Sequence, residues 1–376
     1  MRLLTLALLL GQLTASSLGQ WRQDEPQRHL DAPASPTSIS VRLFSELERL
    51  ARFVDISYCI GNTGVRRPFN CVSRCNEFPS LSLVTTWNTG FLMSDSCGFI
   101  AVDHGERRHE ETAGDGAVGD KAIMVAFRGT YSITNTVVDL STIPQKYVPY
   151  PSPDHGGGEP PEKPEHECTN CTVHMGFLQS WKMARREVIP ALAALKERHP
   201  DYPIHLVGHS LGGAVACLAA LELKVSLGWD NVFVTTFGEP RVGNHNLARF
   251  VDAVFDLGGD SDLEERAYRR VTHYHDPVPL LPLGEWGYAS HAGEIFIEKE
   301  SLSPSEEDVH TCVGDEDKTC SAGGSGSTRY KLWQLFFAHR DYFWRLGLCV
   351  PGGDPANWGP SIVEYEYEEK EEEEEL

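Results

Sequence analysis

The chain has 376 residues, of which 41% are hydrophobic and 23% are charged, and its formal net charge is −21. This hydrophobic fraction excludes general disorder, and the length suits one large α/β domain or two modest ones. The acid excess, with no basic patch beside it, excludes nucleic acid as an expected partner.

Both ends of the chain have the composition of segments outside a folded domain. Met1–Gly19 has a positive start, an apolar run and then small residues, which is the pattern of a secretory signal peptide. The apolar run is too short to span a membrane, so we expect a secreted protein without a transmembrane segment. We interpret residues 20–39 as a polar leader or propeptide, residues 40–355 as the domain, and residues 356–376 as an acidic disordered tail.

The first predicted helix covers Ser40–Ser57, where apolar residues recur at spacings of four, three and four. Thr37 or Ser38 could cap its N-terminus. Strands are predicted at Gly98–Val102 and Ala122–Phe127, on either side of a loop rich in charge and glycine.

The rest of the chain alternates between predicted strands and helices. An insert at Tyr147–Glu167 is crowded with proline and glycine, which predicts irregular structure. The alternation predicts an α/β fold, with a mostly parallel central sheet and helices on both faces. The elements are a helix at Gly176–Arg198 with a kink at Pro190, a strand at Ile204–Val207, a helix at Leu211–Leu227, strands at Val232–Phe237, Tyr268–Tyr274 and Glu294–Glu298, and a helix at Tyr330–Leu346.

The sequence Gly208-His209-Ser210-Leu211-Gly212 follows a predicted strand and opens a predicted helix, which is the setting of the nucleophile elbow in the α/β-hydrolase fold. A serine in so sharp a turn needs neighbours without bulk two positions away on each side, and both are glycines here. The helix N-terminus favours negative charge that develops at the hydroxyl. We therefore predict that Ser210 is a nucleophile, and we interpret His209, whose side chain should point away, as structural.

A serine hydroxyl needs a base, and the base needs a carboxylate that orients it. In this fold the acid follows the serine along the chain. Asp276 lies at the end of a predicted strand, immediately before a proline, and is the predicted acid. Its rivals Asp252 and Asp256 lie on a helix-like stretch and are interpreted as surface charges.

The histidine comes last in this chain order. His339 lies in an aromatic segment near the chain end and is the predicted base. His291 precedes a strand and His310 lies in a polar loop, so both are weaker candidates. The tetrahedral intermediate also needs donors for its oxyanion, for which we predict the N–H of Leu211 and the N–H and hydroxyl of Thr130. This chemistry requires no metal and no cofactor.

Seven ordered blocks resemble the fungal class 3 lipase family, the Rhizomucor and Thermomyces lipase group, which also contains feruloyl esterases. By this resemblance the triad falls on Ser210, Asp276 and His339, and the oxyanion donors fall on Thr130 and Leu211. The blocks are FRGT at Phe127–Thr130, VHMGF at Val173–Phe177, GHSLGGA at Gly208–Ala214, FGEPRVGN at Phe237–Asn244, HDPVPLLP at His275–Pro282, HAGE at His291–Glu294 and HRDYF at His339–Phe343.

The resemblance also implies a lid and disulfides. The lid would be Tyr131–Leu140, where Ile133, Val137 and Leu140 share one face of a helix and could cover an acyl site. It lacks the tryptophan common in lipases. The implied disulfides leave two cysteines unassigned, Cys97 and Cys217. The implied pairs are Cys59–Cys349, Cys71–Cys75 and Cys312–Cys320, with Cys168–Cys171 as a possible fourth.

The expected function is that of a secreted serine hydrolase that cleaves acylglycerol esters, including triacylglycerol, through an acyl-enzyme. We expect a monomer whose partner is a lipid or ester substrate, which it could meet at an oil–water interface. Two alternatives are a feruloyl-type esterase that acts on soluble aromatic esters and a non-catalytic lipid-binding protein of the same fold.

Overall fold

A nine-stranded sheet forms the centre of the computed structural model, which describes residues 37–90, 95–105, 121–130, 140, 144–146, 168–258, 265–326 and 337–351. Its strands, in chain order, are β1 (Thr37–Ser38), β2 (Leu81–Asn88), β3 (Cys97–Asp103), β4 (Ala122–Phe127), β5 (Ile204–His209), β6 (Val232–Phe237), β7 (Tyr268–His273), β8 (Glu294–Ile297) and β9 (Val309–Thr311). Across the sheet the order is β1-β9-β8-β7-β6-β5-β4-β3-β2. Strands β4 to β8 are parallel, and the strands outside them pair antiparallel.

Helices cover both faces of this sheet. In β4, Ile123, Val125 and Phe127 pack into one buried apolar cluster, whereas Met124 and Ala126 pack into the cluster on the opposite face. The first cluster is covered by α2, α3 and α4, and the second is covered by α1. The predicted α/β-hydrolase architecture is thus confirmed. These helices are α1 (Val41–Ile56), α2 (Met175–Arg198), α3 (Leu211–Leu221, continued by a π-helical turn at Glu222–Ser226) and α4 (His245–Phe255).

Shorter elements line the edges of the domain. A four-stranded sheet joins Tyr288–Ala289, Gly243–Asn244, Thr172–His174 and Pro144–Lys146 in that order, and a hairpin joins Asp341–Tyr342 to Trp344–Arg345. Short 3-10 helices lie at Ser57–Cys59, Arg74–Glu77, Val278–Leu280, Gly284–Trp286, Glu306–Asp308 and Ser321–Gly326.

The start of the domain differs from its prediction. The hydroxyl of Ser40 accepts a hydrogen bond from the N–H of Leu43 at 3.2 Å, so Ser40 caps α1. Thr37 and Ser38 were wrong candidates for this cap, because they form β1 and pair with β9. Residues 37–39, assigned above to the leader, therefore belong to the folded domain.

The predicted final helix at Tyr330–Leu346 is wrong over its C-terminal half. Residues 337 and 338 are helical, but the chain then turns and forms the hairpin of Asp341–Tyr342 and Trp344–Arg345. Phe343 between these strands has a φ of 55°, which a helix does not allow. The aromatic side chains next to it pack into the core and do not line one face of a helix. Residues 327–336 lie outside the described residues.

The four disulfides implied by the family resemblance are all present: Cys59–Cys349, Cys71–Cys75, Cys168–Cys171 and Cys312–Cys320. Cys97 and Cys217 are buried thiols. Such a set of disulfides is typical of exported proteins. Within the described residues, no helix combines the length and apolarity that a membrane crossing requires.

Asp55 on α1 is a buried carboxylate that ties this helix to the segment 337–351. Its Oδ1 accepts a hydrogen bond from the N–H of Gly347 at 2.7 Å, and its Oδ2 lies 3.9 Å from Nε of Arg74. Burial raises the pKa of Asp55 from 3.8 to about 6, although these two partners act in the opposite direction. The folded protein therefore binds a proton at Asp55 more tightly than the unfolded chain does.

This difference predicts a pH-dependent stability. The contribution of Asp55 to the free energy of unfolding is largest below pH 3.8 and is lost as the pH rises through about 6. The loss should be of the order of 3 kcal/mol. Asp55→Asn keeps an acceptor for Gly347 but cannot ionise, so the stability of the wild type relative to this variant should fall by that amount between about pH 4 and pH 7.5. Urea unfolding at both pH values measures it, and a constant difference would contradict the prediction.

Candidate active site

Ser210 lies in the sharp turn between β5 and α3. Its backbone has φ 57° and ψ −129°, a strained conformation for a residue other than glycine. Its N–H donates to the carbonyl of Phe237 at 2.9 Å. A Cβ on Gly208 would collide with the backbone of Gly212, and a Cβ on Gly212 would collide with the carbonyl of Phe127. The two glycines thus have the steric role that the sequence pattern predicts.

His339 and Asp276 meet although 63 residues separate them. Nδ1 of His339 lies 2.9 Å from Oδ2 and 3.0 Å from Oδ1 of Asp276. Asp276 follows β7, and its Oδ1 also accepts the N–H of Val278 at 2.9 Å. Tyr342 donates its hydroxyl to Oδ2. Burial, together with the negative charge of Asp276, raises the pKa of Tyr342 far above its usual value, so this hydroxyl keeps its proton.

Gly238 connects these two halves of the site. It follows Phe237, whose carbonyl holds the backbone of Ser210. A Cβ on Gly238 would lie 2.9 Å from Cε1 of His339 and 3.0 Å from Oδ2 of Asp276. Among the described residues, Oγ of Ser210 and Nε2 of His339 are buried and have no hydrogen-bond partner. The site therefore holds a hydroxyl and an imidazole nitrogen that are both available for chemistry.

The loop of residues 128–130 lies directly against the serine. A Cβ on Gly129 would be 2.8 Å from Cβ of Ser210. Arg128 anchors the loop, because its backbone N–H donates to the carbonyl of Cys97 at 2.8 Å and its guanidinium donates to the carbonyl of Ile60 at 2.5 Å. Thr130, the next residue, is half-buried. Leu211 is the first residue of α3, so its N–H lies at the helix N-terminus beside Ser210.

Two histidines that the sequence did not mark as functional hold the backbone around His339. Burial lowers the pKa of His209 well below 6.5, so its ring is neutral, with one donor and one acceptor nitrogen. Its Nε2 donates to the carbonyl of His339 at 2.8 Å, and its Nδ1 accepts the hydroxyl of Tyr58. Nδ1 of His273 lies 3.0 Å from the carbonyl of Ala338. In the sequence, the only indication of this support was that His209 is the residue next to the predicted nucleophile.

The rival acids and bases have other partners. Asp252 accepts a backbone N–H at 2.8 Å from the loop before β8, and Asp256 ends α4 with a left-handed φ of 51°. His291 contacts Glu239, with 3.2 Å between Nε2 and Oε1. His310 lies in β9, where it pairs with β1 and β8.

The predicted lid lies mostly outside the described residues. Ile133 and Val137 are not described, so their role remains a prediction. Leu140 is fully buried and belongs to the apolar cluster under α2, α3 and α4.

One set of buried side chains among the described residues has the spacing of metal ligands. The ligand atoms of Cys217, Glu239 and His291 lie within 4.8 Å of one another. The carboxylate of Glu239, however, already accepts the hydroxyls of Thr236 at 2.6 Å and Tyr268 at 2.8 Å, besides its contact with His291. We therefore interpret this set as a hydrogen-bonded cluster and assign no metal to it.

Comparison with known proteins agrees with this geometry. Residues 124–286 match the family described as Lipase (class 3). Secreted mono- and diacylglycerol lipase 2 of Gibberella zeae is 64% identical over 363 residues, which cover 89% of each chain. Lipase A of Sodiomyces alcalophilus is 60% identical over 367 residues, covering 89% of this chain and 88% of the other. The crystal structure of the Lip2 lipase of Yarrowia lipolytica superposes with a TM-score of 0.68 at 31% identity, covering 84% of this chain and 98% of that one.

These matches test the expectations drawn from the sequence. The relatives are lipases over almost the whole chain, so ester hydrolysis is confirmed and the non-catalytic alternative loses its support. The disulfides and a relative named as secreted confirm export. The chain belongs to the class 3 lipase family and is a secreted carboxylic ester hydrolase with the α/β-hydrolase fold.

Proposed function

We propose that Ser210, His339 and Asp276 are the catalytic triad of an acylglycerol hydrolase. The observation that carries the proposal is the hydrogen bond from His339 to Asp276 beside a strained serine, with Oγ of Ser210 and Nε2 of His339 both unpartnered among the described residues. An exposed surface serine would have neither the strain nor the buried base. The arrangement fits acyl transfer through a covalent intermediate.

In the proposed reaction, Oγ of Ser210 attacks the ester carbonyl carbon while Nε2 of His339 takes the hydroxyl proton. Asp276 orients the imidazole and stabilises its positive charge. The N–H of Leu211 and the N–H and hydroxyl of Thr130 are the proposed donors to the oxyanion. The bond to the glycerol oxygen then breaks, and His339 returns the proton to that oxygen. A water molecule attacks the acyl-enzyme by the same route and releases the fatty acid.

The proposed substrates are acylglycerols, with mono- and diacylglycerols first. Support comes from the Gibberella zeae relative at 64% identity, whose name specifies these two substrates. Rates on emulsified monoolein, diolein and triolein, compared with methyl ferulate, test the substrate class. Faster cleavage of methyl ferulate than of any oleoyl glyceride would overturn it.

Mass spectrometry after reaction with a fluorophosphonate probe tests the nucleophile, because the adduct should lie on Ser210.

Gly238 offers a separate test of the triad geometry. Gly238→Ala should push His339 and Asp276 away from the serine, because its Cβ would lie 2.9 Å and 3.0 Å from their atoms. A displacement of about 1 Å can cost roughly 10²-fold in rate, so we expect kcat/KM to fall at least that far.

The matched control is Gly228→Ala. Gly228 also has a positive φ, 65° against 58° at Gly238, but a Cβ there meets nothing within 4 Å. Backbone strain should cost each variant about 1 kcal/mol of stability, and the buried clash should cost Gly238→Ala roughly a further 1–3 kcal/mol. Only Gly238→Ala should lose activity, and equal activity in the two folded variants would contradict the proposed geometry.

We propose that the enzyme works as a monomer at an oil–water interface. All triad residues come from one chain, and three large apolar side chains are exposed on the segments that follow Asp276 or precede His339. These are Leu283 at 39%, Trp286 at 45% and Phe337 at 36% exposure. Light scattering of the purified enzyme tests the monomer.

Trp286→Ala tests the interface. Loss of an interface-bound indole should lower the rate on emulsified diolein by roughly three- to tenfold, since burial of such a side chain is worth ~1.5–3 kcal/mol when complete. Hydrolysis of a soluble butyrate ester should not change. Val41→Ala, at a 65% exposed position on α1, is the control that should affect neither rate. An equal loss on both substrates would contradict an interfacial role.

The proposed processing removes Met1–Gly19 on export. Mass spectrometry of the secreted enzyme should show an N-terminus at Gln20, or further along the chain if the leader of residues 20–36 is also cleaved.

A further inference from the structure

An open groove of about 710 Å³ lies at the end of the sheet opposite Ser210. It adjoins His199, just before β5 begins at Ile204, whereas β5 ends at His209 beside the serine. The floor is apolar and comes from the edge strand β2, from β3, from α2 and from one loop residue. The apolar lining residues, called the floor here, are Pro68, Leu83, Val84, Val102 and Leu195, and Ser82 also lines the groove.

The rim of this groove is basic. Arg67, Arg198, His104 and His199 line it, and no carboxylate is among the described residues that do so. Arg67 reaches over the edge strand and donates to the carbonyl of Val84 at 2.8 Å. In a chain with a formal net charge of −21, a lining with two arginines, two histidines and no carboxylate among its described residues is a local exception. An occupant should therefore carry both apolar and acidic side chains.

The C-terminal tail of the same chain has this composition in a regular pattern. Residues 363–369 read Val-Glu-Tyr-Glu-Tyr-Glu-Glu. In an extended strand, Val363, Tyr365 and Tyr367 would lie on one side, and the glutamates between and after them would lie on the other. A tail that was only a solvated charge run would not need this alternation.

The tail leaves the described structure at a point from which the groove can be reached. Cys349 is bonded to Cys59, and its Sγ lies 3.2 Å from Oγ1 of Thr63, four residues before Arg67. Four residues span at most about 15 Å. The eleven residues 352–362 could span up to about 40 Å when extended, so the segment that starts at Val363 is within reach.

We propose that residues 363–369 dock as an extended strand in this groove of their own chain. Val363, Tyr365 and Tyr367 lie on the apolar floor, and the glutamates face the basic rim. Ion pairs exposed to solvent contribute little individually. Apolar contact and the high effective concentration of a tethered segment therefore supply most of the affinity. The docked segment covers the edge strand β2.

Hydrogen exchange of the full secreted chain, compared with a chain that ends at Ile362, tests the proposal. Backbone amides of residues 82–86 and 195–199 should exchange roughly tenfold faster in the truncated chain. The exchange rates of β6 amides and the rate of ester hydrolysis should not change, because β6 and the active site lie away from the groove. Equal exchange at residues 82–86 in the two chains would overturn the proposal.

Variants of the full chain test the chemistry. The double variant Arg67→Glu with Arg198→Glu should accelerate exchange as truncation does. Protection should return when three tail substitutions are added to this double variant: Glu364→Lys, Glu366→Lys and Glu368→Lys. The matched control for the pattern is Tyr365→Glu with Glu366→Tyr, which keeps the composition and charge but breaks the alternation. This control should lose the protection, and retained protection would overturn strand docking in favour of bulk charge attraction.

Two other occupants are distinguished by the same readout. Protection that grows with protein concentration would mean that the tail of a second copy docks, which overturns the intramolecular arrangement. Protection of the truncated chain by micromolar oleate, with no effect of the tail, would mean that the groove takes a fatty acid carboxylate instead, and this also overturns the proposal.

Discussion

Replacement of Ser210 by alanine should lower kcat/KM for diolein by roughly 10⁵-fold or more, because no other group at the site can form the acyl-enzyme. The fold should survive. Oγ of Ser210 is buried and has no hydrogen-bond partner among the described residues, so its removal leaves no orphaned partner and relieves the cost of an unsatisfied polar atom. The melting temperature of Ser210→Ala should therefore equal or exceed that of the wild type.

Ser180→Ala is the matched control. Ser180 is also fully buried, but its hydroxyl donates to the carbonyl of Asp95 at 2.8 Å. This variant should lose about 1 kcal/mol of stability and keep full activity, the reverse of Ser210→Ala. Circular dichroism melts and ester hydrolysis measure both properties. Residual activity above about 1% in Ser210→Ala, free of wild-type contamination, would contradict a nucleophilic role for the serine.

The elements that sequence analysis predicted well are those whose causes are local. The turn at Ser210 is specified by two glycines within two residues of it, and β4, which is buried on both faces, is a run of six consecutive apolar residues. Strand β2 was not predicted, because Leu81–Asn88 mixes polar and apolar residues and has a bulge between Leu83 and Thr85. As an edge strand it does not need strict alternation.

The support of His339 could not be predicted, because it depends on contacts between distant segments. His209 is 130 residues from His339, and the carbonyl contact between them exists only once β5 and the C-terminal segment meet. The same segment was predicted as a helix from its aromatic residues. In the structure, Tyr342 and Phe343 are buried core residues on a hairpin, and Tyr342 adds a hydrogen bond to Asp276. Tertiary packing thus overrode local propensity at the point where the site needed a rigid base.

Asp276→Asn should lower kcat by roughly 10⁴-fold. Both carboxylate oxygens of Asp276 accept hydrogen bonds, from the N–H of Val278 at 2.9 Å on Oδ1 and from Tyr342 on Oδ2, and Nδ1 of His339 contacts both. An amide that keeps its oxygen toward Val278 turns its NH₂ group toward the imidazole. This NH₂ group then competes with the retained oxygen for Nδ1 of His339. Where Nδ1 accepts from the NH₂ group, the imidazole carries its proton on Nε2, the nitrogen that has to take the proton of Ser210.

Tyr342→Phe separates this tautomer effect from a simple loss of packing. It removes one hydrogen bond to Asp276 but leaves both carboxylate oxygens and the contact with His339 in place. We expect a loss of no more than roughly tenfold in kcat, since a hydrogen bond to a charged group is worth ~1.5–3 kcal/mol and only part of it acts on the transition state. Steady-state kinetics on a soluble butyrate ester measure both variants without any effect of the interface. Asp276→Asn should lose far more activity than Tyr342→Phe. An equal loss would mean that the carboxylate only holds the position of His339, and the proposed control of the imidazole tautomer would be wrong.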